Sequence, residues 1–213
     1  SSVMNGFERE LKDRVLNVIP HASIYGLNPI DDWETVEINL RDDTNIRGIS
    51  PYIETEALIK SKSAVAGVLV NGVIASKDKS VSVIHEFMQT GNFEKIQTSN
   101  NIVLGRLLAR KLNVDVGDKI SLMLPDTSSS FAGYFPKSKV FNISGIFNIG
   151  SKDIDETLAY ISLENASILT GLKNQVHGFR LKFDDLFEAP YLVWQSLIYA
   201  EKNSNVLLNA EDW

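Results

Sequence analysis

The side chains best suited to acid–base or metal chemistry are scattered along this sequence. Its three histidines are His21, His85 and His177, and their separation matches neither a set of metal ligands nor a catalytic pair. Cysteine is absent, which excludes disulfide scaffolds, thiolate zinc sites and cysteine nucleophiles. We therefore interpret the histidines as ordinary core or surface residues, and we predict no metal site from them.

Acidic residues gather at several places, but none has the pattern of a calcium loop. Such a loop needs oxygen ligands at alternating positions, a glycine at its middle and a late glutamate. The clusters without this combination are Asp31-Asp32, Asp42-Asp43, Asp153 with Asp155 and Glu156, and Asp184-Asp185. Helix caps and turns are the better interpretation of these carboxylates.

The sequence also lacks the short motifs that carry nucleotide or acyl chemistry. It contains no Gly-x-Gly-x-x-Gly, no phosphate-binding loop and no Gly-x-Ser-x-Gly. The stretch GRLLARKL (105–112) has a leucine stripe and a basic outer face. This pattern favours an amphipathic core helix over a phosphate site at its N-terminus. No catalytic residue and no cofactor site is predicted, so the sequence indicates a protein that is not an enzyme.

Composition narrows the class of protein further. The 213 residues are 44% hydrophobic and 23% charged, with a formal net charge of −6. This acidic balance gives no general attraction to nucleic acid or to anionic lipid. The longest apolar run, AVAGVLV (64–70), is far shorter than the roughly 18 residues of a membrane span, and we see no signal peptide.

Periodicity predicts the elements of the first half of the chain. Residues 3–20 read as a helix that ends at Pro20, without an N-cap before it, so we expect the helix to continue upstream. The predicted elements that follow are a strand at 21–27, a helix at 31–43 capped by Asp31 or Asp32, a strand at 46–61 broken or bent at Pro51, and a buried strand at 63–74. A helix beginning at Asp78 or Ser80 and stopped by Gly91 comes next.

The second half is the most clearly patterned. The predictions are a strand at 102–104, a helix at 105–112, antiparallel strands at 120–124 and 139–147, a strand at 157–163, a helix at 164–171 stopped by Gly171, a strand at 177–183, a helix at 187–203 starting near Pro190, and a last short strand at 205–213. Both ends mix strands and helices, whereas the middle has helices followed by a hairpin. We therefore predict an α+β fold in which the middle is inserted into a domain made from both ends.

The turn of the predicted hairpin has an unusual composition. Residues 126–137 place Phe131, Tyr134 and Phe135 among serine, glycine and proline. Aromatic side chains bury well and dominate the energetics of interfaces. Two interpretations stay open at this point. Either the rings fold back onto the body of the protein, or they meet a partner.

Several stretches resemble one known family. SVMNGFERELKDRVL followed by PHA is similar to the segment after the first membrane helix of the lipoprotein-releasing permeases LolC and LolE. ISPYI, VLGRLLARKLNVDVGDKISLMLP, FNISGIF and HGFRLKF occur in the order that this family shows. The LGRLLARKLNVDVGD pattern is shared with the wider MacB-like periplasmic domains. The resemblance spans essentially the whole chain.

The resemblance implies a MacB-like periplasmic domain, cut from a permease between its first two membrane helices. Its expected parts are a discontinuous Porter-like subdomain, residues 1–74 and 151–213, and an inserted Sabre-like subdomain, residues 75–150. The inserted part carries a protruding β-hairpin with its tip at 126–137. The expected location is the periplasmic face of the inner membrane of a Gram-negative bacterium.

The function that the resemblance implies is transport. The domain would help to release outer-membrane lipoproteins from the inner membrane and pass them to a periplasmic chaperone of the LolA type, directly or through a sister permease. The other expected partners are a second permease subunit or a second copy, and a separate cytoplasmic subunit that hydrolyses ATP. The alternative is a MacB-like mechanotransmission domain of an efflux transporter, also non-catalytic, which the MNGFEREL opening disfavours.

The family also suggests a binding site. In LolC-type permeases a hairpin called the Hook docks the chaperone, and residues 126–137 occupy the matching position. The tip departs in sequence from the usual LolC version, so the LolC-like, LolE-like and hybrid roles all stay open. The candidate partner-binding residues are Ser130, Phe131, Tyr134, Phe135, Pro136 and Lys137.

Overall fold

Two units make up the computed structural model, which describes residues 22–124, 137–185, 188–203 and 206–212. The first unit comprises the described residues up to Ile53, Ser76–Glu86, and the described residues from Asn174 onward. The second comprises Glu54–Ala75 and Phe87–Lys173. The predicted helix at 3–20 and the tip residues 126–136 lie outside the described residues.

The described elements follow one another as β1 (Ala22–Ile30), α1 (Trp33–Arg41), β2 (Ile46–Lys60), β3 (Val65–Val73), α2 (Ala75–Asp78), a 3₁₀ turn (Ile84–Phe87), β4 (Met88–Gly91), a second 3₁₀ turn (Phe93–Gln97), β5 (Asn101–Gly105), α3 (Arg106–Leu112), β6 (Lys119–Leu124), β7 (Lys137–Phe147), α4 (Lys152–Thr157), β8 (Leu158–Ser162), α5 (Leu163–Thr170), β9 (Val176–Phe183), α6 (Ala189–Asn203) and β10 (Leu208–Asp212). Strand β2 begins in the first unit and ends in the second. Among the described helices, none combines the length and the apolar character that crossing a bilayer requires.

The first unit is an antiparallel sheet in the order β10-β1-β9-β2, with helices packed on it. Residues Ile24, Phe179 and Leu181 are fully buried in this sheet. Helix α6 buries Leu192, Val193, Leu197 and Ala200, which recur at the spacing of one helical face, and it contacts β1, β9, β10 and α1. Its amphipathic pattern is therefore the reason that the helix lies on this sheet.

Six of the described strands of the second unit form a closed ring. Each hydrogen-bonds to the next in the order β2-β3-β8-β5-β7-β6, and β6 pairs back to β2. The closing contact is short, with Leu58, Ile59 and Lys60 opposite Met123, Leu122 and Ser121. Closure leaves no open edge within the ring, and strand β4 is added outside it against β7.

Alternation along the strands fills this barrel. One set of alternate residues is almost fully buried and includes Ala57, Ile59, Val68, Val70, Ile102, Leu104, Leu122, Phe141, Ala159 and Ile161. These side chains belong to all six strands, so they form one shared core. The hydroxyl groups of Ser61 and Ser63, in the β2–β3 turn, donate to the carbonyl of Leu112 and so fix the end of α3 against that turn.

Most of the predicted elements are confirmed, including the α+β class and the antiparallel hairpin of β6 and β7. Gly171 ends α5 in the left-handed conformation, as expected. The predicted break at Pro51 is wrong, because β2 runs without interruption and Pro51 lies opposite Phe179 in the ladder. A proline removes only the bond that its own N–H would make, so a strand continues through it where that bond is not needed.

The helix predicted to begin at Asp78 or Ser80 and to end at Gly91 is also wrong. Helix α2 ends at Asp78, and the following residues form the first 3₁₀ turn and strand β4. Val81, Val83 and Ile84 are β-branched, which weakens a helix and suits extended structure. The acidic cap of α1 is half right, because Asp32 is the N-cap but its side chain makes no capping hydrogen bond.

The two units do not have the boundaries expected for the Porter-like and Sabre-like subdomains. The predicted insertion is 75–150, whereas the second unit begins at Glu54, leaves Ser76–Glu86 to the first unit and extends to Lys173. The assignment of those subdomains stays a prediction.

Two glycines of β3 provide a matched test of the packing around this barrel. A Cβ atom at Gly72 would lie 2.1 Å from Cβ of Ala166 in α5, whereas one at Gly67 would meet no atom within 4 Å. We expect Gly72→Ala to lower the free energy of unfolding by about 1–3 kcal/mol through overpacking. Gly67→Ala should raise it by up to about 1 kcal/mol, because the unfolded chain loses freedom. Chemical denaturation of both variants measures the difference, and equal effects would contradict the described packing.

Candidate functional site

The hairpin formed by β6 and β7 is anchored in the barrel at one end. Its ladder runs without a shift from Lys119 opposite Asn142 to Leu124 opposite Lys137. Near the barrel, Leu122 and Phe141 are fully buried, which fixes the register because a slip of one residue would expose both. Towards the end of the ladder burial decreases, and Lys137 and Ser138 are exposed.

Only one of the six predicted partner-binding residues lies in the described part of the chain. Lys137 is the first residue of β7, is exposed and sits opposite Leu124. Ser130, Phe131, Tyr134, Phe135 and Pro136 lie outside the described residues. The described structure therefore brings no two of these residues together, and the site at the tip stays a prediction.

An apolar groove lies at the base of the hairpin, entirely within the second unit. It has a volume of about 850 Å³. Its lining comes from β2, β3, β6 and the end of α4, namely Glu56, Ala57, Leu58, Gly67, Val68, Leu69, Met123, Leu124 and Thr157. A concave and mainly apolar surface of this size is typical of a binding site for an apolar ligand.

The strand alternation explains why this groove is open. In β3 the buried residues Ala66, Val68 and Val70 alternate with Val65 and Gly67, which are exposed. In β2 Ile59 is fully buried, whereas Leu58 is 48% exposed. The outer face here carries aliphatic side chains, no helix of the described residues covers it, and the missing side chain of Gly67 deepens it.

Sequence reasoning missed this groove. The stretch 63–74 is predicted to be a buried strand, and burial is incomplete in its first half, where Val65 is 50% exposed. The available signal was that β2 and β3 are apolar at successive positions, as in EALIK and VAGVLV. That pattern is typical of strands covered on both faces, so it does not indicate that one face of β3 is open.

The first unit contains a buried charge cluster on β2, α2 and β9. Asp78 is 1% exposed, and among the described residues its carboxylate oxygens accept no hydrogen bond. Burial raises the pKa of Asp78 to about 6, and the charge of Arg180 opposes that rise. The Arg180 guanidinium lies 4.5 Å from the centre of the Tyr52 ring. Asp78 is thus a buried carboxyl group whose burial is opposed by the charge of Arg180.

A second ion-pair cluster holds the same chain segment on α1. Glu37 is buried and accepts from Lys77 at 2.5 Å and from Arg41 at 2.5 Å. The Lys77 ammonium also lies 5.3 Å from the centre of the Trp33 ring. Lys77 therefore fixes α2 to α1 through its ion pair with Glu37. These contacts stabilise structure and present no reactive group to a substrate.

The acidic residue Asp155 has a structural role in the second unit. Its carboxylate accepts hydrogen bonds from the backbone N–H groups of Ile149 and Gly150, at 2.8 and 2.9 Å. Burial raises the pKa of Asp155, and these two donors and Arg106 oppose that rise. The interpretation of this acidic cluster as caps and turns is confirmed for Asp155. Within the described ranges, no group of three or more His, Asp or Glu residues is placed to hold a metal ion.

Solved structures identify the fold. The chain is similar to the extracellular domain of the noncanonic ABC-type transporter YknZ from Gram-positive bacteria, with a TM-score of 0.59 and 7% identity over 89% of this chain and 98% of that one. It is also similar to the periplasmic region of MacB from Actinobacillus actinomycetemcomitans, with a TM-score of 0.55 and 9% identity over 95% and 94% of the two chains. The expected MacB-like α+β fold is therefore confirmed.

The sequence comparison gives the family. The family described as MacB-like periplasmic core domain matches residues 1–192, and this chain belongs to that family. It is 33% identical over 208 residues to the lipoprotein-releasing system transmembrane protein LolC of Neisseria meningitidis, covering 95% of this chain and 49% of the relative. It is 34% identical over 194 residues to the LolE protein of Haemophilus influenzae, covering 88% and 46%. The chain thus spans about half the length of these relatives.

The raised pKa of Asp78 predicts how stability depends on pH. Because the folded protein binds this proton more tightly than the unfolded chain, the free energy of unfolding should fall as pH rises from 3.8, the ordinary pKa of an aspartate, to about 6. The loss from this group is about 3 kcal/mol. We expect Asp78→Asn to remove this pH dependence. Between pH 4 and pH 7, the free energy of unfolding of the variant should therefore rise relative to that of the natural protein by about the same amount.

Denaturation of both proteins at the two pH values measures this change. Asp184→Asn is the control, because Asp184 is exposed and paired with Arg47, which lowers its pKa and gives the opposite sign. A difference between Asp78→Asn and the natural protein that stays constant with pH would contradict the prediction.

Proposed function

We propose that this chain is the periplasmic domain of an inner-membrane ABC transporter permease that releases outer-membrane lipoproteins and passes them to a periplasmic chaperone. The observation that carries the proposal is the 33% identity over 95% of the chain to a lipoprotein-releasing system protein. Both LolC and LolE proteins match at similar identity, so the proposal covers the permease and leaves its role within a pair open. The relatives are transmembrane proteins of a lipoprotein-releasing system, which supports a domain that is not an enzyme.

The partners follow from the proposed transporter. They are the lipoprotein cargo, a LolA-like chaperone bound directly or through a sister permease, a second permease subunit or second copy, and a cytoplasmic subunit that hydrolyses ATP. The domain would lie at the periplasmic face of the inner membrane. Nucleic acid is not among the expected partners, because the chain carries a net charge of −6.

A mechanotransmission role in an efflux transporter is the second candidate. Membership of the MacB-like periplasmic core domain family is compatible with it, whereas the likeness to the periplasmic region of MacB, at 9% identity, supports the fold alone. The identity of 32–34% to lipoprotein-releasing proteins favours the first candidate.

Depletion of the full-length permease that contains this chain tests the two candidates together. We expect outer-membrane lipoproteins to accumulate in the inner membrane, measured by immunoblotting of separated membranes. Resistance to exported drugs should be unchanged in the same cells. Correct lipoprotein sorting after depletion, with loss of drug resistance, would favour the efflux role instead.

We also propose that the hairpin tip contacts the chaperone or the cargo through Phe131, Tyr134 and Phe135, flanked by Ser130, Pro136 and Lys137. The support is the aromatic content of the sequence between Leu124 and Lys137, which are paired at the end of an anchored ladder. Aromatic anchors typically carry a large share of binding energy. The proposal for the tip depends on the proposed transporter function, but it can be measured separately.

Changing all three aromatic residues to serine tests the tip. We expect chaperone capture by the variant to fall about tenfold or more, with the melting temperature changed by less than about 3 °C, because exposed residues contribute little to stability. The control is Ile198→Ser, which removes a 63% exposed apolar side chain of the first unit. A large loss of melting temperature would place the rings in the core, and unchanged capture would exclude them from binding.

A further inference from the structure

The outer face of β2, β3, β6 and β7 is unusually apolar for a surface open to solvent. Leu58, Val65 and Val140 are 48%, 50% and 52% exposed, and Leu69 and Met123 are partly exposed. The pairing of Leu58 with Met123 makes part of this surface continuous across two strands. Exposed apolar patches rimmed by polar residues mark interaction sites, so this face has the character of a binding surface.

The chemistry of the lining limits the ligand. Among the described residues of the lining there is no lysine, arginine, histidine or aromatic residue, so these walls offer neither a cation for phosphate nor a ring for stacking. The polar side chains of this described lining are the carboxyl group of Glu56 and the hydroxyl group of Thr157. A ligand that needs only apolar contacts fits these walls, and an unbranched hydrocarbon chain is such a ligand.

The charge of Glu56 narrows the class of ligand further. Glu56 is exposed, and its negative charge opposes an anionic headgroup held at the groove, as a fatty-acid carboxylate or a phospholipid phosphate would be. An acyl chain joined to a protein by ester or amide bonds carries no charge at its attachment. The groove therefore favours a neutral, protein-attached acyl chain over a free fatty acid or an anionic lipid.

We propose that this groove binds an acyl chain of the lipoprotein cargo, an inference that rests on the proposed function of the domain. Gly67 is the residue that makes room for the chain, since a Cβ atom there would meet nothing within 4 Å. Leu58 and Met123 provide the walls on the side of β2 and β6. The groove is a holding site at the base of the hairpin, distinct from the predicted contacts of the tip.

Binding of a dipalmitoyl-cysteinyl peptide to the 213-residue chain tests the proposal directly. The peptide carries a fluorophore and a neutral C-terminus, and fluorescence polarisation measures its affinity. The comparison arms are the same peptide without acyl chains, palmitate, and phosphatidylglycerol. We expect the acylated peptide to bind most tightly. Equal binding of the unacylated peptide would identify a peptide groove, and equal binding of palmitate or phosphatidylglycerol a general lipid site. Either result overturns the proposal.

Two variants locate the binding. Gly67→Leu fills the groove without a clash at Cβ and should reduce affinity about tenfold or more. Leu58→Gln strips one wall and should reduce it several-fold, with little effect on folding because the residue is half exposed. The matched control is Gln89→Leu, which adds the same side chain at an exposed position of β4. Thermal unfolding checks that each variant folds, and unchanged affinity in folded Gly67→Leu would overturn the proposal.

The two proposals fail independently. The binding measurement uses this chain without a transporter, whereas the depletion experiment measures lipoprotein sorting in cells. Unchanged affinity in folded Gly67→Leu, together with normal lipoprotein sorting on depletion, would contradict both proposals. Tight binding abolished by Gly67→Leu, together with normal sorting, would leave an acyl-chain site in a protein of another function.

Discussion

The pairing of β2 with β6 is the interaction on which the second unit depends. It joins Leu58–Lys60 to Ser121–Met123, residues far apart in the sequence, and it converts a row of strands into a ring. Without that contact β2 and β6 would each present an open edge, and Ile59 and Leu122, now fully buried, would border solvent. The entropic cost of bringing such distant segments together is repaid by the shared core that closure completes.

Closure also determines where binding surfaces can lie. The interior is filled by side chains, so any ligand must approach from outside the ring. On β5 and β8 the outer residues Val103 and Tyr160 are buried, and Tyr160 packs edge-on against Phe93 and Phe147. On β2 and β3 the outward residues Leu58 and Val65 are about half exposed, without such cover from the part of the chain that the structure describes. The groove is thus the part of the barrel exterior that the helices and 3₁₀ turns of this unit leave open.

The sequence predicted local elements well and long-range closure poorly, for a physical reason. Alternation at Ile120, Leu122 and Leu124 depends only on which face of a strand is buried, and the β6–β7 hairpin was predicted correctly from it. Closure depends on which distant strand supplies the hydrogen bonds, and no local pattern records that. The open face of β3 was missed for a related reason, since Val65 and Gly67 read like residues covered on both sides. The sequence did not indicate the burial of Asp78 either. It was predicted as a possible helix start, and it lies buried near Arg180.

The barrel interior and its outer face place different requirements on the sequence. A closed ring of strands requires apolar residues at alternate positions, and many sequences satisfy that requirement, so the fold is recognisable at 7–9% identity. The outward residues Leu58, Gly67 and Met123 are not required by that rule, since polar side chains there would leave the interior unchanged. Aliphatic residues and a glycine on an open face cost solubility without adding to the core. Their presence is therefore better explained by something that binds to this face than by the demands of folding.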